Sequence, residues 1–156
     1  MLTVRLQDQG PSGGRSATRL FTFTLSDEND NTPIFTQTNI VVSVLEDVAT
    51  LTDVLAVNAS DADSGNNGAI VYSLVSADGG VSDASHFTVC ATTGLVETNA
   101  ALNHEAHAAY FLHLLATDQA ASGARTGTLT LTISVQDVND NTPVVTGSPY
   151  TSTIPG

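Results

Sequence analysis

The chain has 156 residues, 41% of them hydrophobic, with 16 acidic and 4 basic side chains, a formal net charge of −12 and a single cysteine. That length holds one domain or slightly more, and the apolar share suits a packed core. The charge excludes nucleic acid and anionic membrane surfaces as partners, no stretch approaches the ~20 apolar residues of a membrane-spanning helix, and one cysteine forms no internal disulfide.

The N-terminus lacks the basic-then-apolar pattern of a secretion signal. Residues 2–10 mirror 112–120, and Ser12, Gly13 and Arg15 match Ser122, Gly123 and Arg125 at the same offset. Next comes the densest acidic run: Asp-Glu-Asn-Asp-Asn-Thr-Pro at 27–33 returns 110 residues later as Asp-Val-Asn-Asp-Asn-Thr-Pro at 137–143, with only Glu28 and Val138 differing. That offset is the length of a small all-β domain, and internal repeats govern the reading of a fold. Residues 1–31 therefore read as the last strands of one repeat, 32–141 as a whole repeat and 142–156 as the opening of a third. Clustered carboxylates repel unless a cation relieves them. Calcium takes 6–8 oxygen ligands from carboxylates, amides and main-chain carbonyls. An extended Asp-x-Asn-Asp-Asn segment points successive side chains to opposite sides, so one linker serves ions on both flanks. Pro33 and Pro143 bias the residue before each towards extended geometry.

Within 32–141, strands are expected at 39–45, 54–59, 69–75, 86–90, 95–98, 109–116 and 126–136. The last is the clearest, with Thr128, Thr130 and Thr132 alternating with Leu129, Leu131 and Ile133. Seven short strands separated by Gly, Asp, Asn and Ser clusters imply an all-β antiparallel sandwich of immunoglobulin-like architecture. Asn58-Ala59-Ser60 is a glycosylation sequon. Asp61-Ala-Asp63-Ser-Gly-Asn-Asn-Gly68 places two carboxylates on one side of an extended segment ahead of a turn. It resembles the start of an EF-hand loop, but the twelfth position is Tyr72 rather than Glu and no helices flank it. Phe87 and Val89 take the core side, which turns Cys90 towards solvent. His104, His107 and His113 invite a zinc reading, yet they lack the i, i+4 spacing on a helix that such a site uses. No nucleophile elbow or open metal site marks an enzyme.

Taken together, the two linkers, the 61–68 motif, Phe87-Thr-Val with Thr-Thr-Gly94-Leu-Val, Leu102-Asn-His-Glu105 and Ala116-Thr-Asp118 resemble the cadherin repeat family over essentially the entire chain. The resemblance implies Greek-key sandwiches in tandem, with three Ca2+ ions at each junction. It implies that Asn29, the Asn31 carbonyl, Asp61, Asp63, the Asn67 carbonyl and Asp118 hold the outer ion of the first junction. Asp27, the Glu28 carbonyl, Asp30 and Asp63 would serve its middle ion. At the second junction it implies Glu46, Glu105, Asp137, the Val138 carbonyl and Asp140, with Asn103, Asn139 and Asn141 in the same set. Asn103 stands where the family has Asp, and His104 where it has Arg, so the outer ion there should bind less tightly. Asp8, the match of Asp118, would serve a further junction upstream.

The function implied is calcium-dependent, homophilic cell–cell adhesion by a glycoprotein on the extracellular side of the plasma membrane. The parent would be a single-pass membrane protein whose span lies outside this chain. Partners would be cadherin repeats of the same or a related protein, homophilic or heterophilic, and neighbouring repeats in cis. A rigid spacer without an adhesive face and a secreted recognition module are the alternatives. The resemblance also allows O-linked sugars on the outward Thr128, Thr130 and Thr132.

Overall fold

Period-two alternation dominates the chain, and strands account for nearly all of its regular structure. The computed structural model describes residues 1–11, 13–77, 83–144, 146–147, 152 and 154. Strands β1 (Leu2–Gln7) and β2 (Ser16–Phe21) form an antiparallel hairpin exposed at every position. After the linker come β3 (Ile34–Phe35), β4 (Asn39–Leu45), β5 (Asp53–Ala56), β6 (Ala59–Ser60) and β7 (Ile70–Ser76). They are followed by β8 (Phe87–Val89), β9 (Leu95–Thr98), β10 (Ala109–Asp118) and β11 (Thr126–Gln136). One layer is the sheet β4-β11-β10-β7; the other comprises β5-β9-β8, with the short pair β3-β6 beside them.

The core lies between these layers. Strand β11 buries Leu129, Leu131, Ile133 and Val135, and β10 buries Tyr110, Leu112, Leu114 and Ala116. Phe35, Tyr72, Phe87 and Val96 meet them from the remaining strands. Complete burial of a leucine such as Leu112, Leu114 or Leu131 stabilises the fold by roughly 1.5–3 kcal/mol against the exposed state. Tyr72, at the position that breaks the EF-hand pattern, is a core residue whose hydroxyl accepts the Ala59 N–H at 2.9 Å.

The expected sandwich is present, with local differences. Strand β4 runs parallel to β11, while the other pairings are antiparallel. The single strand expected at 54–59 is divided into β5 and β6 with a register shift between Asp53 and Leu55. The Val57 N–H turns away to the Gly94 carbonyl at 3.1 Å. His86 belongs to a short 3-10 turn, Ala84–His86, rather than to β8. The two-residue β3 escaped the sequence reading because its pattern is too short to alternate. Cys90 is half-buried rather than turned fully to solvent, with hydrogen bonds from Thr93 and Thr92 drawing its thiol down to about 6. Of the elements expected beyond 32–141, Ser12, Val145, 148–151, 153 and 155–156 lie outside the described residues.

The pairings also fix the two ends. Parallel register sets Leu45 opposite Gln136, so Glu46 and Asp137 leave their strands side by side. At the other end Asp118 pairs with Ile70, and Ile34 with Ser60, which gathers the linker, the 61–68 loop and the 118–125 loop. Gly127 is required at that end, because a Cβ there would lie 2.0 Å from the Pro33 carbonyl oxygen.

Candidate metal centres at the two poles

At the linker pole, carboxylates and amides interlock. Asp118 is 3% exposed and accepts the Ala120 N–H at 3.0 Å, the Arg125 N–H at 2.9 Å and the Asn29 side-chain amide at 3.1 Å. Burial works against its ionisation, but these bonds and the Arg125 guanidinium outweigh it and hold its pKa below the usual carboxylate range. Asp63 accepts both the backbone N–H (2.9 Å) and the side-chain amide of Asn31. Asn31 is the leading reason that its pKa is lowered, whereas the hydrogen bond to Asp63 and that group's charge raise Asp30. Two carboxylates in contact titrate as a pair rather than as separate groups. Asp61 accepts the Asp63 N–H at 2.9 Å, and Asp27 accepts the Ser64 N–H and the Asn67 amide, each at 3.0 Å. The Glu28 carbonyl takes the Asp30 N–H at 2.9 Å.

Two oxygens at this pole are unsatisfied. Asn29 Oδ1 and Asp61 Oδ2 are buried with no hydrogen-bond partner. A buried oxygen without a donor is costly, and here both belong to side chains of an all-oxygen set that includes Asp63 and Asp118. A hard cation of flexible coordination fits such a donor set; a soft, nitrogen- or sulfur-seeking one does not.

The opposite pole is simpler. Carboxylate oxygens of Glu46, Glu105 and Asp137 lie within 4.8 Å of one another. Glu46 is 6% exposed and accepts backbone N–H groups of His104 at 2.7 Å and Val138 at 2.6 Å, which together hold its pKa below 4.5. The Val138 carbonyl accepts the Asp140 N–H at 2.6 Å, repeating the Glu28–Asp30 turn. Asn141 donates to Glu105 at 2.7 Å and to Asp140 at 2.8 Å. Asn103 instead turns its Oδ1 to the Ala106 N–H at 2.7 Å, which fastens the 103–107 turn. Asn139 is exposed.

The family model described as the cadherin domain matches residues 40–136. The chain belongs to the cadherin family. It is 34% identical over 154 residues to the mouse cadherin EGF LAG seven-pass G-type receptor 2, covering 98% of this chain and 5% of that receptor. The solved structure of mouse cadherin-23 EC22-24 is 38% identical, with a TM-score of 0.73, covering 88% of this chain and 42% of that one. A protocadherin gammaB7 EC3-6 cis-dimer structure is 30% identical at TM-score 0.72, covering 96% of this chain and 35% of that one. The chain thus spans a small part of the curated relatives it matches. Calcium binding is typical of cadherin domains, which are a non-enzymatic adhesion fold.

In this cadherin repeat the structure gathers Asn29, Asp30, Asn31, Asp61, Asp63 and Asp118 at one pole, and Glu46, Glu105 and Asp137 at the other. The three histidines of the zinc reading occupy different settings: His104 Nδ1 lies 2.8 Å from the Val135 carbonyl, His107 stacks on Tyr110, and His113 sits mid-strand in β10. Sequence reasoning missed Arg125, whose Nη1 donates to the Asp30 carbonyl at 2.9 Å. The signal was present in the match of Arg15 to Arg125. The two loops share hydrogen bonds as well: Arg15 N–H to Asp8 at 2.7 Å parallels Arg125 N–H to Asp118 at 2.9 Å.

Proposed function

We propose that this chain is a calcium-binding segment of a cell-surface adhesion array, lying on the extracellular side of the plasma membrane and engaging like repeats homophilically. Residues 32–141 form its complete repeat, 1–31 close the repeat before it and 142–156 open the next. The observation that carries this reading is the pair of buried, unpartnered oxygens on Asn29 and Asp61 beside Asp63 and Asp118. At the first pole Asp27, Glu28, Asn29, Asp30, Asn31, Asp61, Asp63, Asn67 and Asp118 would hold calcium. At the second, Glu46, Asn103, Glu105, Asp137, Val138, Asn139, Asp140 and Asn141 would do so.

Calcium bound there supplies positive charge that offsets the carboxylates. The residues themselves do the mechanical part. The linker carries Asn29 and Asp30, the repeat body carries Asp61, Asp63 and Asp118, and a ligand set drawn from both ties one to the other. Extracellular calcium modules bind at roughly 10⁻⁴–10⁻³ M, so such a tie forms outside the cell and is absent inside it. The exposed apolar face of the β1–β2 hairpin supports the assignment of 1–31. Leu2, Val4 and Leu6 stand 110 residues before Leu112, Leu114 and Ala116, which are fully buried.

Calcium is expected to raise the melting temperature of the chain, and Asp63→Ala to remove most of the increase. Scanning calorimetry with calcium and with a chelator tests this. Equal melting temperatures in the two conditions would sink the ligand assignment.

A further inference from the structure

Asn58-Ala59-Ser60 is the chain's single Asn-x-Ser/Thr triplet, and the calcium sites make no use of it. Burial alternates through it: Val57 and Ala59 are buried, whereas Ala56, Asn58 and Ser60 are exposed. Backbone bonds fix which way the triplet faces. The Val57 N–H donates to the Gly94 carbonyl at 3.1 Å, and the Ala59 N–H to the Tyr72 hydroxyl at 2.9 Å. In the β3–β6 pair, Ile34 stands opposite Ser60 and Phe35 opposite Ala59. Residues paired across strands share a side, and residues two apart along a strand do as well. Phe35 and Ala59 therefore point inward, while Ile34, Ser60 and Asn58 share the outward side.

The Asn58 amide is also uncommitted. Asn29, Asn31, Asn67 and Asn99 each donate their side-chain amide to another group of the fold. Among the described residues, neither the Asn58 nor the Ser60 side chain enters a hydrogen bond. Beside them Ile34 is 68% exposed, an apolar side chain with nothing over it.

We propose that Asn58 carries an N-linked oligosaccharide whose first sugars lie over Ile34. The proposal rests on the extracellular placement above, because this transfer takes place along the secretory route. The triplet supplies the acceptor amide and the hydroxyl two residues on, and a bulky sugar is tolerated only at a surface position such as this one. The donor is a lipid-linked oligosaccharide pyrophosphate. Asn58 Nδ2 bonds to the anomeric carbon as the bond from that carbon to the pyrophosphate oxygen breaks. The lipid pyrophosphate leaves with the electron pair, and Nδ2 gives up one proton. Once attached, the sugar projects from the outward side of β6 and shields Ile34 from water, which removes an exposed apolar group beside a short strand pair.

The full chain, expressed behind a secretion leader in animal cells, tests the proposal, with cells and medium read together. Treatment with peptide-N-glycosidase should lower its apparent mass and leave a carboxylate in place of the Asn58 amide, as read by mass spectrometry. Asn58→Gln and Ser60→Ala should each abolish that shift, and Ser60→Thr should keep it. In saturating calcium the glycosylated chain should melt about 2–4 °C above Asn58→Gln, as expected for partial burial of one isoleucine. Ile34→Ser should remove most of that difference. An unmodified chain that keeps its calcium-dependent melting shift overturns the proposal and leaves the calcium reading standing. A glycosylated chain without a calcium shift overturns the ligand assignment instead and leaves the sugar site standing. A thermal difference that survives Ile34→Ser unchanged overturns the placement of the sugar over Ile34.

Discussion

The carboxylate of Glu46 accepts N–H groups from His104 and Val138, and those two bonds are the main reason that its pKa lies below the ordinary 4.5. A folded pKa below the unfolded one gives a contribution to stability that is fully present above pH 4.5 and is lost as pH falls through the lowered value. Glu46→Gln offers one carbonyl oxygen to two donors, so one buried N–H loses its acceptor. The variant should melt lower than the parent at about pH 7 and lose less stability on acidification, since its side chain no longer titrates. Calcium-free melting curves between about pH 7 and pH 3 check this, and an acid limb as steep as the parent's would assign the effect to other carboxylates. The sequence offers little at Glu46 beyond a strand-end position and a family resemblance. Its burial depends on β4 lying beside β11, a pairing between residues far apart in the chain. Asp61 and Asp63 were more legible, because their spacing and the following turn are local.

At the scale of elements, alternation made β11 and β10 readable, since period two states which side chains face inward. It does not state which strand lies alongside, or in which direction. The parallel β4–β11 pair and the division of 54–59 into β5 and β6 were therefore invisible until the sheets were assembled. The linker contact of Arg125 is of the same kind. Its guanidinium holds the Asp30 carbonyl, and Asn29 donates to both Asp118 and the Gly123 carbonyl at 3.0 Å. These bonds fasten the linker to the 118–125 loop by a cation that belongs to the chain. Arg125→Ala should lower the melting temperature more in chelator than in saturating calcium, because without the metal no other cationic side chain acts on Asp63 and Asp118. Arg125→Lys should restore part of the loss, as a point charge without the planar fork. Equal losses in the two conditions would reduce Arg125 to an ordinary packing contact.

Over the whole molecule the acids are not spread evenly. Asp27, Glu28, Asp30, Asp61, Asp63 and Asp118 belong to one pole, and Glu46, Asp47, Glu105, Asp137 and Asp140 to the segments of the other. Each pole is a concentration of like charge that works against the folded state when no divalent cation is bound. Monovalent salt and calcium relieve that repulsion differently. Salt shortens the screening length to about 3 Å at 1 M and weakens repulsion among exposed groups, but it screens buried ones such as Asp118 and Glu46 much less. Nor does it offer a partner to the orphaned oxygens of Asn29 and Asp61, which need a directly bound cation or a donor. In chelator, raising sodium chloride from about 0.1 M to about 1 M should therefore increase the melting temperature by less than millimolar calcium does at low salt. Calcium added at high salt should still produce a further increase. Melting curves across the four combinations decide the matter: if salt alone reproduced the calcium effect, the poles would be acting as diffuse negative charge rather than as built coordination sites.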